Sequence, residues 1–329
     1  MPTIFSVKFS RISASANKNT VAKTVEKEMK DVVKKILFIT LSNIGDAVMT
    51  TPVLQALHEL YPEAVIDIVG DQRSSEIFKH CPYRGEIFHK QKNIFLRGVP
   101  ALLTVLWGQS YDLIVDIRTD GLAYLLPAGK RYTKLNRIKT GVHSVQQHLG
   151  IISKIYQGDP PQCHVWTSSI ENKFAKEALG DYYGKRLLGL GTGANAEKKI
   201  WPRENYLSLV EKFGNDFAAV VYLGDKQDKE HSNYISSRTD VPSINLCGRT
   251  SILEAVAIQQ CLDFFVGNDS GLGHLASAAG IPTLTVFGTG EPDRYRPWGV
   301  KSLWLQGKDN NLRNIQVADV LSMLKESGN

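Results

Sequence analysis

Twice along this chain the same local pattern starts up: a short apolar run rich in Ile, Leu and Val, a polar or glycine-rich loop, a helical period, then another apolar run. Strands separated by helices lie parallel, because each helix has to cross a face of the sheet before the next strand begins. In the first half, residues 36–41 read as a strand, Ser-Asn-Ile-Gly-Asp as a loop and residues 47–60 as a helix. Strands at 64–69 and 111–117 extend that sheet. The second half begins again with a strand at 187–190. A helix at 204–213, strands at 218–223 and 243–246, a helix at 251–260, a strand at 262–266, a helix at 272–279 and a strand at 283–287 follow. Gly280 is placed to close its helix in a left-handed cap, and Pro282 stops any continuation.

Between the halves, Pro160 and Pro161 open a linker that runs to about residue 186 and holds a helix near 170–179. The reading is therefore α/β with two domains, 35–165 and 166–329, each built on a parallel sheet. Ligands of such sheets sit beyond the carboxyl ends of the strands, which directs attention to the loops after Leu41, Leu190, Val266 and Phe287.

Charge is uneven along the chain. The net charge of +6 resides in two segments: residues 1–35 carry eight Lys/Arg against three acids, and residues 121–158 contain no Asp or Glu but include Lys130, Arg131, Lys134, Arg137, Lys139 and Lys154. A nucleic-acid binder spreads its cations over a larger face; one basic segment on a near-neutral body suits a single anionic ligand or surface, or else a solvated loop. Residues 1–34 read as a basic arm outside the fold, resembling a transit segment or a surface-binding helix. The apolar runs at 98–107 and 272–288 are too short or too broken to span a bilayer. Four scattered cysteines without a CxxC pair suggest neither disulfides nor zinc, and fit a reducing, cytoplasmic compartment.

The loops carry the chemistry. Ser42-Asn43-Ile44-Gly45-Asp46 has one glycine, so it is not a dinucleotide fingerprint, and no P-loop motif occurs anywhere. Asp46, at the hand-over from strand to helix, is either a helix N-cap or a general base. Gly189 to Asn195, with Thr192 among them and Lys198, Lys199, Trp201 and Pro202 following, offers compact backbone and cations to a diphosphate, or else is a structural turn. In Gly267-Asn268-Asp269-Ser270-Gly271-Leu272-Gly273-His274, the N–H groups near Ser270, Gly271 and Leu272 suit phosphate. Asp269 there suits sugar hydroxyls or capping, and His274 is either packed or functional. Gly288 to Pro292, with Arg294, Arg296 and Trp298 behind, lines the same cleft or forms a surface turn.

Together, Ile44-Gly45-Asp46 with Thr51-Pro52-Val53-Leu54, Lys199-Ile200-Trp201-Pro202 and Asn268 to Leu275 resemble the family 9 glycosyltransferases, the lipopolysaccharide heptosyltransferases, over residues 35–305. The resemblance implies a GT-B fold, two Rossmann-like domains facing a central cleft, with the acceptor on the N-terminal domain and the nucleotide sugar on the C-terminal one. It implies an inverting transfer from ADP-heptose to an anionic glycolipid at the cytoplasmic face of the inner membrane. No metal or cofactor is expected, contact with the membrane is peripheral and the protein is a monomer.

By position, Asp46 matches the general base, and Ser42, Asn43, Gly45, Lys130, Arg131, Lys134 and Arg137 fall on the acceptor side. Thr192, Asn195, Lys199, Asp269, Ser270, Gly271, Leu272, Gly273 and His274 fall on the donor side. Asn195 departs from a hydroxyl residue found in some relatives, and the 35-residue arm precedes the usual start. Three rivals remain open: transfer of another sugar, a sugar-nucleotide epimerase or hydrolase, and a non-catalytic sugar-nucleotide binding module.

Overall fold

The computed structural model describes residues 33–90 and 98–327, so all but the last two residues of the expected basic arm lie outside the described residues. Strand β1 (Lys35–Ile39) is fully buried at Ile36–Ile39 and leads into a short helix, α1 (Ile44–Val48), and then α2 (Thr51–Leu60). The single helix expected over 47–60 is thus two. Pro52 has no N–H to offer the Val48 carbonyl, which ends the first helix. Thr51 Oγ1 donates to Val48 O instead, at 2.8 Å, and Thr50 Oγ1 to Ala47 O at 2.7 Å, so both of these carbonyls are paired at the break.

The first half continues with β2 (Val65–Gly70), β3 (Arg84–His89), α3 (Gly98–Trp107), β4 (Tyr111–Asp116), β5 (Ala128–Thr133) and α4 (Ser144–Leu149). The strands pair in parallel in the order β3-β2-β1-β4-β5. Apolar-run reasoning misses β3 and β5, because RGEIFH and AGKRYT are half-exposed edge strands whose pairing partners, not their own propensity, make them extended. Lys130 and Arg131 therefore belong to a sheet edge. Helices α2 and α4 pack Val53, Leu54, Leu57, Val145 and Leu149 on one face of the sheet, and α3 packs Leu102 and Leu106 against Leu37, Ile39 and Ile114 on the other.

The second half runs through α5 (Ser169–Leu179), β6 (Leu187–Gly191), α6 (Arg203–Phe213), β7 (Ala219–Tyr222), α7 (Lys229–Ser236), β8 (Ser243–Asn245) and α8 (Ile252–Gln259). It ends with β9 (Phe264–Asn268), α9 (Gly271–Ala278), β10 (Thr283–Phe287), α10 (Pro292–Tyr295), β11 (Ser302–Gln306) and α11 (Val317–Ser327). Its strands are parallel in the order β11-β10-β9-β6-β7-β8. Gly280 has φ +84°, the left-handed conformation expected of it.

The two halves share a seam. Leu253 and Val256 of α8 and Leu275 and Ala278 of α9 join the apolar cluster of the first half. His80 Nε2 lies 3.1 Å from Glu171, His143 Nε2 lies 2.9 Å from Arg296 O, and the Trp298 indole donates to Pro161 O at 3.1 Å. No described helix is long and apolar enough to cross a membrane.

Candidate active site

The loop after β1 and the helix that follows β9 meet at the seam. Asp46 is the third residue of α1, while Asn43 holds the N-cap position with φ −81° and ψ 146°. The capping role open to Asp46 is thereby excluded: its Oδ2 accepts from the Asn43 amide at 2.9 Å, and its carboxylate remains part-exposed. Across from it, α9 starts at Gly271 behind Ser270, whose hydroxyl is buried without a hydrogen-bond partner and caps nothing. The first-turn N–H groups of α9 and the positive end of its dipole are thus left for an anion.

The approach is close. A methyl group on Gly271 would come within 3.3 Å of Ile44 Cβ, and one on Gly45 within 2.7 Å of His274 Cδ2. A side chain at position 45 would force one helix start away from the other, and one at position 271 would need a give of a few tenths of an ångström.

Lys199 and Asp269 are brought together, with Nζ 2.6 Å from Oδ2. An ammonium has three donors, so Asp269 aims Lys199 without consuming it. Asn268, which sequence reasoning quoted in a motif but gave no role, organises this corner. Its buried Oδ1 accepts from Trp201 N–H at 2.9 Å and from Tyr206 O–H at 3.1 Å, and its amide donates to Gly193 O at 3.2 Å. One polar side chain at the end of an apolar strand thereby ties the glycine-rich loop and the Lys199 segment to the start of α9.

One expected donor contact changes. Thr192 is fully buried, with its hydroxyl facing Ser232 Oγ at 3.4 Å, so it offers no surface to a ligand. Asn195 is exposed on the same loop.

His274 is buried against Gly45, and its Nδ1 has no partner. Burial holds its pKa below the ordinary histidine value; the carboxylates of Asp269 and then Asp46 offset part of that, and Lys199 adds to it. Its electrostatic surroundings thus connect residues from both halves. Ser42 Oγ, in the loop after β1, is another buried polar atom without a partner. Ser42, Ser270 and His274 are three of the eleven such atoms among the described residues, and these three lie on the elements that meet at the seam.

The acceptor-side cations separate. Arg131 donates to Ala123 O at 2.9 Å, to Ala128 O at 3.4 Å and also to Leu126 O, so its guanidinium is spent on backbone carbonyls and is removed from the acceptor set. Arg137 reaches Gln147 Oε1 at 3.2 Å, and Lys130 and Lys134 are exposed. The Lys134 turn is held at the sheet's carboxyl edge by its N–H to Thr119 Oγ1 at 3.0 Å, while Thr119 in turn donates to Asp116 O at 3.1 Å.

A cavity of about 670 Å³ beyond β2 and β3 was not anticipated. Arg73, Lys79, Ser75 and His89 line it together with Asp71 and Glu76, and neither Asp46 nor any residue of the second half does. Arg73, Lys79 and His89 are spread over seventeen residues of sequence, and only the fold groups them.

The model of glycosyltransferase family 9 (heptosyltransferase) matches residues 130–323. Lipopolysaccharide heptosyltransferase 3 of Escherichia coli (strain K12) is 23% identical, over 77% of this chain and 82% of its own length. Among solved structures, the family 9 glycosyl transferase from Veillonella parvula DSM 2008 superposes with a TM-score of 0.80 at 18% identity, covering 89% of this chain and 97% of that one. The E. coli ADP-heptose LPS heptosyltransferase II superposes at 0.75 with 21% identity, covering 89% and 98%. The architecture is thus the GT-B fold, and the chain belongs to glycosyltransferase family 9, the heptosyltransferase family.

Proposed function

We propose that this glycosyltransferase moves a heptose from ADP-heptose to an anionic inner-core acceptor of lipopolysaccharide, with inversion, and that Asp46 is its general base. The observation that carries the reading is the meeting of the Asp46 turn with the N-terminus of α9, beside the Lys199–Asp269 pair. A carboxylate on one side and an anion cradle on the other is what a single displacement requires. Asp46 removes the proton of an acceptor hydroxyl, that oxygen attacks the anomeric carbon from the face opposite the nucleotide, and ADP departs.

Charge that develops on the leaving diphosphate is met by Lys199 and by the free N–H groups of Gly271 and Leu272, fixed in place before the reaction begins. Asp269 orients Lys199 and faces the sugar. ADP-heptose and lipopolysaccharide are the substrates in the names of the E. coli proteins this chain resembles. The cations at Lys134 and Arg137 and those at Arg73 and Lys79 of the cavity lie on the half we assign to the acceptor.

The domain division at residues 165/166 belongs to the same proposal. Val165 sits in the first-half cluster, whereas Ala175 and Leu179 of α5 pack with the second.

Asp46→Asn is expected to keep donor affinity and lose two or more orders of magnitude in kcat, roughly the share a positioned base supplies. Near-normal turnover would remove Asp46 from the chemistry. Lys199→Ala is expected to weaken donor binding, read by isothermal titration with ADP. Release of free heptose or of an epimer in the absence of acceptor would favour the epimerase or hydrolase rival.

A further inference from the structure

Exposed large apolar side chains concentrate on one stretch of the surface. Val105, Trp107, Tyr124, Leu125 and Leu135 are 51%, 64%, 50%, 53% and 80% exposed. Helix α3, GVPALLTVLW, contains no charged residue; Leu102 and Leu106 face the core, and its outer side shows Pro100, Ala101, Thr104, Val105 and Trp107. An ordinary surface helix has a polar outer face, and this one does not.

The strip is continuous and stiff. The Trp107 indole donates to Leu125 O at 2.7 Å, which joins the end of α3 to the turn at Leu122–Tyr124. The Tyr124 hydroxyl is 2.8 Å from Thr133 Oγ1, and that same oxygen caps the turn Lys134–Asn136 that exposes Leu135. Arg131, bonded to the carbonyls of Ala123, Leu126 and Ala128, clamps the middle of the strip from beneath.

Cations predominate around the strip; of the acids at its border, Asp120 is paired with Lys90 and Arg118, and Asp112 accepts from the N–H groups of Lys34 and Lys35. From residue 121 to residue 158 there is no Asp or Glu, while Lys130, Lys134, Arg137 and Lys139 are all exposed. We propose that α3 and the turns at 121–126 and 134–136 form a face that docks on an anionic lipid bilayer, with Trp107, Leu125 and Leu135 entering the headgroup–acyl boundary and the lysines meeting lipid phosphate. A strip of aromatic and aliphatic side chains bordered by cations and free of acids complements that surface in both polarity and charge.

Its position suits the chemistry. Thr133 pairs across β4 with Asp116, and Asp116 with Ile39 of β1, so the basic turn stands two strands, about 10 Å, from the strand that leads to Asp46. A glycolipid lifted from the bilayer would reach the acceptor half at its near edge. The purpose of the face rests on the glycolipid-acceptor reading; its affinity for lipid does not.

The test uses the full-length protein with vesicles of phosphatidylcholine alone and of phosphatidylcholine with phosphatidylglycerol, read by co-sedimentation. Binding is expected only to the anionic vesicles and to weaken with salt. Leu125→Ser/Leu135→Ser, both on the surface, should melt like the parent and bind at least about tenfold more weakly. Brominated lipid should quench the fluorescence of the parent more than that of Trp107→Phe.

Unchanged affinity in the double variant would overturn the proposal, since lipid contact would then be made elsewhere, for instance by residues 1–32. Loss of self-association instead of vesicle binding would overturn it in favour of a contact between copies. Transfer to a short soluble acceptor should be unaffected by the double variant. If the parent transfers nothing to any acceptor and vesicle binding still depends on Leu125 and Leu135, the transferase reading falls and the docking face stands.

Discussion

Gly45→Ala probes the contact between the two halves with a single methyl group. That carbon would lie 2.7 Å from His274 Cδ2 and 3.1 Å from Nε2, where relaxed carbon contacts lie at about 3.5–4.0 Å. Either the ring or α1 has to move by about 1 Å. His274 is only 6% exposed, so the ring has little room to move, and overpacking of this kind costs about 1–3 kcal/mol. Replacing glycine inside a helix returns roughly 0.5–1 kcal/mol, which leaves a net loss of about 1 kcal/mol and at most about 2.5 kcal/mol.

The sign of the effect should reverse in a His274→Ala background. With the ring gone, Gly45→Ala has only its helix gain and should stabilise by up to about 1 kcal/mol, a coupling of about 1–3 kcal/mol between the two positions. Urea unfolding of the four proteins measures this directly. Because Asp46 follows Gly45 on the same turn, a displacement of about 1 Å should also lower kcat by about 100-fold in the single variant. Gly271→Ala, whose methyl would meet Ile44 Cβ at 3.3 Å, should cost less. A Gly45→Ala protein with parental stability and turnover, or a cost that persists without His274, would refute the packed seam on which the site depends.

Arg131→Gln strips three backbone carbonyls of their donor and should lower stability by about 1–3 kcal/mol with little change in the acceptor KM, whereas Lys134→Gln/Arg137→Gln should raise the acceptor KM more than the donor KM and leave stability alone. Steady-state kinetics paired with thermal melts separates the two. Burial lowers the pKa of His143 to about 4, against the opposing effect of the Nε2 hydrogen bond to Arg296 O; Nδ1 accepts from Val145 N–H. A depressed histidine pKa means that the unfolded chain binds the proton first. Stability is therefore complete above the ordinary value of 6.5 and is lost as pH falls towards about 4, by about 3 kcal/mol in all. His143→Asn should flatten unfolding free energy against pH in that window, although burial of His148, with its pKa lowered to about 3, keeps a residual slope; an unchanged slope would contradict the assignment.

The alternation of apolar runs and helical periods was enough to specify two parallel sheets, because a strand buried on both faces has to be apolar throughout: β1, β4, β6, β9 and β10 were all legible. Of the edge strands only β8 was read, at 243–246; β3, β5 and β11 were not, since they are only half covered and need little apolar character. Pro52 was visible in the sequence, but the hydroxyl bonds that make a helix break there cheap were not.

The site divides along the same line. Loops at the carboxyl ends of strands follow from topology alone, and so Asp46, Lys199, Asp269 and the Ser270–His274 turn could be named from residue order. What order could not contain is distance. Whether Arg131 faces a ligand or three carbonyls of its own chain and whether Thr192 lines a cleft or a core are decided by packing within each half, and whether Gly45 meets His274 by how the two halves pack against each other. Local pattern reflects which side of each element is buried; side-chain partners between elements depend on tertiary packing, and that packing brings the α9 dipole to the Asp46 turn.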